Sequence, residues 1–402
     1  MGLNETPSAG RVHIGFFGRR NTGKSSLLNA VAGQDLAIVS EVKGTTTDPV
    51  FKSMELLPLG PVVIIDTPGI DDEGALGEER VRRAKRVMNR IDAAVLVTGA
   101  DSADGGAEAE LAALFREKGI PFLAARNKCD LLEGPLPPAG GAEIFVSAKT
   151  GANIGLLKER IAALIPAETE TLRIAGDLVS PSDFVVLVTP VDKAAPKGRL
   201  ILPQQQTIRD ILEADAAAVV VKEHELRYTL ESLGKKPRMV ITDSQVFAKV
   251  SADTPADIPL TSFSILFARY KGFLSSAVRG VKALDGIGGG DRVLICEGCT
   301  HHRQCDDIGT VKIPRWIRDY TGAVPDFAFT SGGDFPADIS SYKLIVHCGG
   351  CMLNEREMRF REKCAAGERV PMTNYGILIA HMQGILRRSL SLFPPVLAEL
   401  ED

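Results

Sequence analysis

Residues 18–25, GRRNTGKS, restrict the fold of this chain more than any other feature. They fit the pattern G-x-x-x-x-G-K-S between an apolar stretch, RVHIGFFG, and a helix-like stretch, GKSSLLNAVAG, where Gly33 is the expected stop. In such a loop the glycines let backbone N–H groups surround phosphate oxygens. Lys24 adds a cation beside the β and γ phosphates, and Ser25 offers its hydroxyl to Mg²⁺. The segment therefore predicts a strand, a phosphate-binding loop and a helix.

Strand-like and helix-like segments alternate from residue 11 to residue 165. Four further apolar stretches, PVVIIDTPG, AAVLVTG, PFLAARNK and AEIFVSA, are each separated from the next by helix-like sequence. This alternation predicts an α/β domain, a parallel sheet with helices on both faces. We expect this P-loop GTPase domain to span residues 8–168, with Pro166 and the polar AETETLR as the linker that follows it.

Short motifs at the ends of these strands indicate a guanine nucleotide. DTPG places Asp66 near the metal and the amide of Gly69 near the γ-phosphate. In NKCD, Asn127 and Asp130 can select guanine, because a carboxylate pairs with the N1–H and the exocyclic amine of that base. SAK completes the base pocket, and a threonine of GTTTD can complete the Mg²⁺ shell. The predicted nucleotide site comprises Gly18, Asn21, Thr22, Gly23, Lys24, Ser25, Ser26, Thr46, Asp66, Gly69, Asn127, Lys128, Asp130, Ser147, Ala148 and Lys149.

The order and spacing of these motifs resemble the translation-factor-related class of small GTPases. After DTPG stands Ile70, where Ras-like proteins carry a glutamine that orients water. Asn21 resembles the asparagine of potassium-activated GTPases such as the tRNA-modifying MnmE, which holds K⁺ near the bridge between the β and γ phosphates. That resemblance implies Thr46 as a Mg²⁺ ligand beside Ser25, and Lys24, Asn21 and Thr46 as catalytic residues of a slow, K⁺-stimulated GTPase. The alternative is that Asn21 only braces the loop.

Residues 174–262 repeat the α/β rhythm without a catalytic motif. Strand-like DFVVLVTP, DAAAVVVK and PRMVITD alternate with helix-like QQQTIRDILEA, HELRYTLESLG and DSQVFAKVSA. We expect a small α/β dimerisation domain, because dimerisation usually accompanies activation in the potassium-dependent group.

Residues 264–402 open with the helix-like SILFARYKGFLSSAVRGVKAL and then concentrate the cysteines. Five of the seven cysteines fall within residues 296–351, where two strand-like segments end in soft ligands, RVLICEGCTHHRQC and YKLIVHCGGC. Clustered cysteines in a reducing compartment indicate metal, and the ends of parallel strands meet in one crevice. Structural zinc on Cys296, Cys299, Cys348 and Cys351 is one interpretation. The spare histidines favour an iron–sulfur cluster on three thiolates with one iron left open.

The choice between structural zinc and an iron–sulfur cluster follows from a family resemblance, which begins with the spacing C-x-H…H-C-x-x-C. With the MnmE-like domain and the middle α/β unit, it resembles the HydF family, the GTPases of [FeFe]-hydrogenase maturation, over essentially the whole chain. The resemblance implies a [4Fe-4S] cluster on Cys299, Cys348 and Cys351 in an α/β cluster-binding domain. It implies that His301 and His347 provide either a fourth ligand or hydrogen bonds to the sulfurs.

The same resemblance implies a scaffold or carrier. It would accept a di-iron precursor made with the radical-SAM enzymes HydE and HydG and deliver it to apo-hydrogenase HydA. Contacts with these partners would depend on loops ordered by the γ-phosphate.

The composition and charge of the chain bear on whether it binds nucleic acid and whether it lies in a membrane. The net charge of -4 and the pI near 6.0 argue against a dedicated nucleic-acid binder. The sequence has no apolar run of about 18 residues, so no membrane span is expected. Residues 1–10 are polar and lack the hydrophobic core of a signal peptide, so we expect a cytoplasmic protein. The competing hypothesis is an RNA-modifying or ribosome-associated GTPase of the MnmE/Era group with a structural zinc domain.

Overall fold

The chain divides into two compact units, Met1–Thr169 and Glu170–Asp402. The computed structural model describes residues 7–33, 49–69, 75–100, 106–136, 141–165, 172–191, 200–299 and 307–400. Four predicted features lie outside these residues, namely Thr46 with its loop, Ile70, the start of the linker at Pro166, and His301. The expected domain limits, 8–168, 174–262 and 264–402, stay predictions.

The first unit contains a six-stranded sheet in the order β2-β3-β1-β4-β5-β6. Its strands are β1 (Val12–Phe17), β2 (Val50–Leu56), β3 (Gly60–Asp66), β4 (Ala93–Gly99), β5 (Phe122–Asn127) and β6 (Glu143–Phe145). The predicted parallel sheet is confirmed, since every neighbouring pair but one is parallel. The exception is the edge strand β2, antiparallel to β3, which was not predicted because most of its side chains are exposed and it lacks an apolar run.

Helices cover both faces of this sheet, as the alternating strands require. They are α1 (Lys24–Ala32), α2 (Ala75–Met88), α3 (Gly106–Glu117) and α4 (Ile154–Leu164). Phe16 and Ile64 pack in a cluster with residues of α1 and α4, whereas the next residues along, Phe17 and Ile65, pack with α2 and α3. Successive side chains of a strand point to opposite faces, so both faces are apolar and buried. The predicted stop at Gly33 is confirmed by its left-handed φ of 69°.

The second unit contains two four-stranded sheets, both parallel throughout. The first has the order β10-β9-β7-β8 and comprises β7 (Phe184–Val188), β8 (Ala217–Val221), β9 (Met239–Thr242) and β10 (Leu260–Ser262). The helices among these strands are α5 (Leu202–Leu212), α6 (Leu226–Ser232) and α7 (Phe247–Asp253).

The other sheet of this unit has the order β12-β11-β13-β14. It comprises β11 (Arg292–Glu297), β12 (Asp326–Ser331), β13 (Leu344–His347) and β14 (Met372–Asn374). Its helices are α8 (Phe263–Tyr270), α9 (Leu274–Val281), α10 (Ile313–Thr321), α11 (Glu355–Gly367), α12 (Tyr375–Met382), α13 (Leu386–Ser389) and α14 (Pro394–Ala398). One hydrophobic cluster joins residues of both sheets, so the two sheets share a core. No helix in the described ranges is long and apolar enough to cross a membrane.

The predicted helix over SILFARYKGFLSSAVRGVKAL is broken in two. Helix α8 ends at Tyr270 and α9 begins at Leu274, with Gly272 between them at a φ of 79°. A left-handed glycine ends an α-helix without steric cost, and the apolar spacing on either side gives no sign of it. The break places Lys271 at the end of α8.

Candidate functional site

Residues 18–25 form a tight loop, and at two positions of this loop, 18 and 23, only glycine fits the backbone conformation and the space available. Gly18 has a φ of 148°, and a Cβ there would lie 2.1 Å from the carbonyl oxygen of Val97. Gly23 has a φ of 82°, and a Cβ there would lie 2.4 Å from Nδ2 of Asn127. Asn21 also has a positive φ, 59°, which asparagine tolerates, and its side chain is exposed. The loop therefore turns tightly against β4 and β5 and leads into α1.

The ammonium group of Lys24 lies inside this loop. Its Nζ donates to the carbonyl oxygens of Gly18, at 3.0 Å, and Arg19, at 2.6 Å, and the side chain is buried. The carbonyls of the loop thus hold the cation within the curve of the backbone. Phosphate oxygens are stronger partners for the same ammonium group, because both members of the pair are then charged.

Ser25 and Asp66 form the predicted metal position. The hydroxyl of Ser25 donates to Oδ2 of Asp66 at 2.6 Å, while the other carboxylate oxygen, Oδ1, is buried without a hydrogen-bond partner among the described residues. Burial raises the pKa of Asp66, and the hydrogen bond from Ser25 and the charge of Lys24 oppose that shift. A buried oxygen that lacks a partner beside a serine hydroxyl fits a hard divalent cation such as Mg²⁺.

Asn127 braces three predicted motifs together. Its Nδ2 donates to the carbonyl oxygen of Thr22 at 3.0 Å, and its Oδ1 accepts from the backbone N–H of Ala148 at 3.0 Å. Lys128 adds a second link, from its Nζ to the carbonyl oxygen of Asn21 at 2.7 Å. The phosphate loop and the base pocket are thus tied to each other through side chains, a role that the sequence did not reveal.

Asp130 carries the carboxylate predicted to recognise guanine. Its Oδ1 accepts from the hydroxyl of the buried Ser147 at 2.6 Å, and this hydrogen bond is the main cause that lowers the pKa of Asp130. The exposed carboxylate is therefore ionised and oriented for the N–H groups of a base. Lys149 lies close enough to lower the same pKa further. Ser26 lies in the first turn of α1, and Gly69 ends the described part of the loop after β3.

In the second unit the two cysteine segments meet at the carboxyl ends of neighbouring strands. Strands β11 and β13 are parallel neighbours, with Cys296 opposite His347, and the backbone N–H of Cys348 donates to the carbonyl oxygen of Cys296 at 2.9 Å. Cys299 follows β11 by two residues, and Cys348 directly follows β13. The expectation that both loops follow parallel strands of one sheet is confirmed, and the structure adds that these two strands are neighbours.

The thiols of Cys299, Cys348 and Cys351 lie close enough to interact electrostatically. Burial, followed by the charges of Cys348 and Cys299, raises the pKa of Cys351 to about 12. The sulfur of Cys348 accepts from the backbone N–H groups of Gly298, at 3.0 Å, and Gly350, at 3.4 Å. Among described residues no group of three His, Cys, Asp or Glu side chains is placed to hold a single metal ion. Three thiols with N–H donors nevertheless fit the chemistry of a cluster, in which each thiolate binds a different iron.

Both ring nitrogens of His347 have partners. Nδ1 lies 2.8 Å from the carbonyl oxygen of Cys348, and Nε2 accepts from Nη1 of Arg361 at 2.9 Å. Burial and the Arg361 guanidinium lower the pKa of His347 to about 3, so the ring is neutral. The two roles expected for His347, a fourth iron ligand or a hydrogen bond to a sulfur, stay predictions, and the contacts in the structure join His347 to the backbone of the cysteine loop and to Arg361.

Family models match both units of the chain. Residues 174–272 match the hydrogen maturase F dimerization domain, and residues 275–392 match the hydrogen maturase F tetramerization domain. Together these two models cover more than half of the chain. The chain belongs to the hydrogen maturase F family. Residues 13–128 match a GTPase model described as a 50S ribosome-binding GTPase, so this hydrogen maturase F chain carries a GTPase domain.

Relatives outside the family resemble the GTPase region. The chain is 40% identical over 148 residues to the tRNA modification GTPase MnmE of Methylococcus capsulatus, covering 36% of this chain and 32% of that protein. It is 33% identical over 234 residues to MnmE of Azoarcus sp., covering 55% and 46%. It thus spans less than half the length of these relatives. The crystal structure of an Aquifex aeolicus Era variant bound to GDP and AlF₄⁻ is 20% identical, with a TM-score of 0.36, covering 55% of this chain and 98% of that chain.

Two charged residues of this hydrogen maturase F chain, buried near the cysteines, were not found from its sequence. Arg361 is fully buried, and its guanidinium binds Oε1 of Glu357 at 2.9 Å in addition to His347. Lys271 is 2% exposed, and burial lowers its pKa to about 8. The four-residue spacing of Glu357 and Arg361 could have indicated an ion pair, but not that it is buried.

Proposed function

We propose that this hydrogen maturase F protein is a GTP-hydrolysing scaffold that binds a [4Fe-4S] cluster, accepts a di-iron precursor and delivers it to apo-hydrogenase HydA. One observation carries the proposal: the two cysteine segments leave the ends of adjacent strands β11 and β13, where the sulfur of Cys348 accepts from the N–H of Gly298, the residue before Cys299, at 3.0 Å. The proposed site has three thiols, whereas a [4Fe-4S] cluster has four irons, so one iron keeps a position for another ligand.

Each residue of the proposed cluster site has a part. Cys299, Cys348 and Cys351 would hold three irons as thiolates, and the N–H groups of Gly298 and Gly350 would stabilise the charge on Cys348. His301 remains a proposed fourth ligand or hydrogen-bonding residue. When bound, the cluster would supply an iron with an exchangeable position, to which a di-iron precursor made with HydE and HydG could attach.

The nucleotide site would control this delivery in the cytoplasm. Lys24 would bind the β and γ phosphates, while Ser25, Thr46 and Asp66 would hold Mg²⁺ directly or through water. The γ-phosphate would order the loop of Thr46, and loss of the phosphate would release it. Contacts with HydA, HydE and HydG would then differ between the GTP and GDP states.

The dimerization segment offers a strand edge for self-association. Strand β8 is the last strand of its sheet, and its residue Val220 is 41% exposed. Leu212 at the end of α5 and Tyr228 in α6 are also exposed apolar residues of this segment. An exposed strand edge with apolar side chains is a ready template for a second chain. We propose a homodimer through β8.

Anaerobic reconstitution with iron and sulfide tests the proposed cluster. We expect a brown protein with the broad visible absorption and EPR signal of a [4Fe-4S] cluster, and a change in the EPR signal when imidazole is added. The change is expected because imidazole can bind the open iron. A colourless protein that takes up stoichiometric zinc instead would favour a structural zinc site and refute the carrier proposal.

Potassium should stimulate GTP hydrolysis by this protein. The side chain of Asn21 is exposed beside the phosphate loop, while its backbone oxygen is held by Lys128, so the side chain is available to bind K⁺. We expect hydrolysis in KCl to exceed that in NaCl by about 10-fold or more, with an upper limit on the order of the 1,000-fold effect of one electrostatic contact in the transition state. The variant Asn21→Ala should lose the difference. Equal rates in both salts for the unmodified protein would contradict potassium activation.

A further inference from the structure

Helix α8 packs directly on the cysteine loop. A Cβ placed on Gly349, between Cys348 and Cys351, would lie 3.6 Å from Cα of Ser264 and 3.7 Å from Cβ of Phe267. Residues 264, 267 and 271 follow each other at helical spacing, so Lys271 belongs to the face of the helix that contacts this loop. The left-handed Gly272 ends α8 immediately afterwards and holds Lys271 at that position.

The side chain of Lys271 is almost completely buried, and its ammonium group lacks a close anionic partner among the described residues. Among the residues that the structure describes, this group makes no hydrogen bond or ion pair, and its Nζ lies 4.9 Å from the centroid of the Tyr270 ring. Glu355 is close enough to act on it electrostatically, but the carboxylate of Glu355 already pairs with Arg359. Burying an unpaired charge is costly, so a lysine at this position needs a negative partner.

A thiolate-bound cluster would be that partner. Cys351, one of the three proposed iron ligands, belongs to the loop on which α8 packs and lies close enough to Lys271 to act on its charge. A [4Fe-4S] cluster on three thiolates carries a net negative charge, which increases by one when the cluster accepts one electron. In a buried site, one positive charge a short distance away favours the more negative state.

We propose that Lys271 is the charge partner of the cluster and favours its reduced state. The inference rests on the proposed function, because it requires that Cys299, Cys348 and Cys351 bind a [4Fe-4S] cluster. Lys271 would act through the field at Cys351 rather than as an iron ligand. It would therefore be a positioning and tuning residue contributed by α8, at the end of the segment that matches the dimerization model.

Redox titration of the reconstituted full-length protein, monitored by EPR with dithionite as reductant, tests this role. Lys271→Met removes the charge and keeps the length of the side chain, Lys271→Arg keeps the charge, and Lys363→Met is a control at an exposed lysine of α11. At a fixed potential we expect about tenfold less reduced cluster in Lys271→Met, which for one electron is a midpoint potential lower by about 59 mV. The other two variants should stay close to the unmodified protein.

Apo-protein stability separates tuning from a structural role. Without metal, Lys271→Met should resist denaturant as well as the unmodified chain or better, because an unpaired buried charge has been removed. Loss of the cluster from Lys271→Met but not from Lys271→Arg would also support the proposal. A normal midpoint potential in Lys271→Met, or a less stable apo-protein, would overturn it. Failure of the unmodified chain to bind a cluster would instead refute the proposed function.

Discussion

Replacing Cys348 by serine should abolish the cluster while leaving the fold intact. Cys348 lies directly after β13, and its sulfur accepts hydrogen bonds from two backbone N–H groups. A serine hydroxyl can accept the same two hydrogen bonds, but it is a poor ligand for iron. We expect cluster affinity to fall by more than about 100-fold, beyond the effect of losing an outer-shell partner. Iron content, visible absorption and EPR after anaerobic reconstitution measure the loss.

Cys364→Ser is the matched control for this experiment. Cys364 lies in α11 of the same unit, is also partly buried, and has no place in the C-x-H…H-C-x-x-C pattern. The control should retain iron and colour. GTP hydrolysis should persist in both variants, because the nucleotide site lies in the other unit. A Cys348→Ser protein with normal iron content would show that the cluster, if bound, is held by other residues.

The features that could be predicted from the sequence are those that a short continuous segment of residues defines. The phosphate loop, DTPG, NKCD and SAK each join an apolar strand to a short motif, so their order along the chain gives their position at one edge of a parallel sheet. The cysteine loops follow the same rule, with β11 and β13 as neighbours. In each case the strand provides the placement and the motif provides the chemistry.

Contacts between distant residues could not be predicted in this way. That Asn127 reads the guanine base stays a prediction, but the contacts by which its amide ties Thr22 to Ala148 could not be foreseen. The contact between Nε2 of His347 and Arg361, fourteen residues further along, was likewise not foreseen. Such pairs depend on how α11 and the loops pack on the sheet, and a single sequence does not record packing. The break at Gly272 was missed because the apolar spacing continues across it.

The nucleotide site also implies a trade of stability for function, which Asp66→Asn should expose. The asparagine oxygen can still accept from Ser25, but the charge that attracts Mg²⁺ is gone, so we expect GTP hydrolysis to fall on the order of 100-fold.

Burial raises the pKa of Asp66, which means that the folded state binds its proton more tightly than the unfolded state. The ionised carboxylate therefore costs stability near neutral pH, and this cost disappears as the pH falls below the raised pKa. Without nucleotide and Mg²⁺, Asp66→Asn should thus unfold at the same temperature as the unmodified chain or higher, whereas Glu110→Gln, at an exposed carboxylate of α3, should change neither quantity. Rapid hydrolysis by Asp66→Asn would show that the metal is bound without this carboxylate, and a destabilised apo-protein would show that Asp66 serves the fold rather than Mg²⁺.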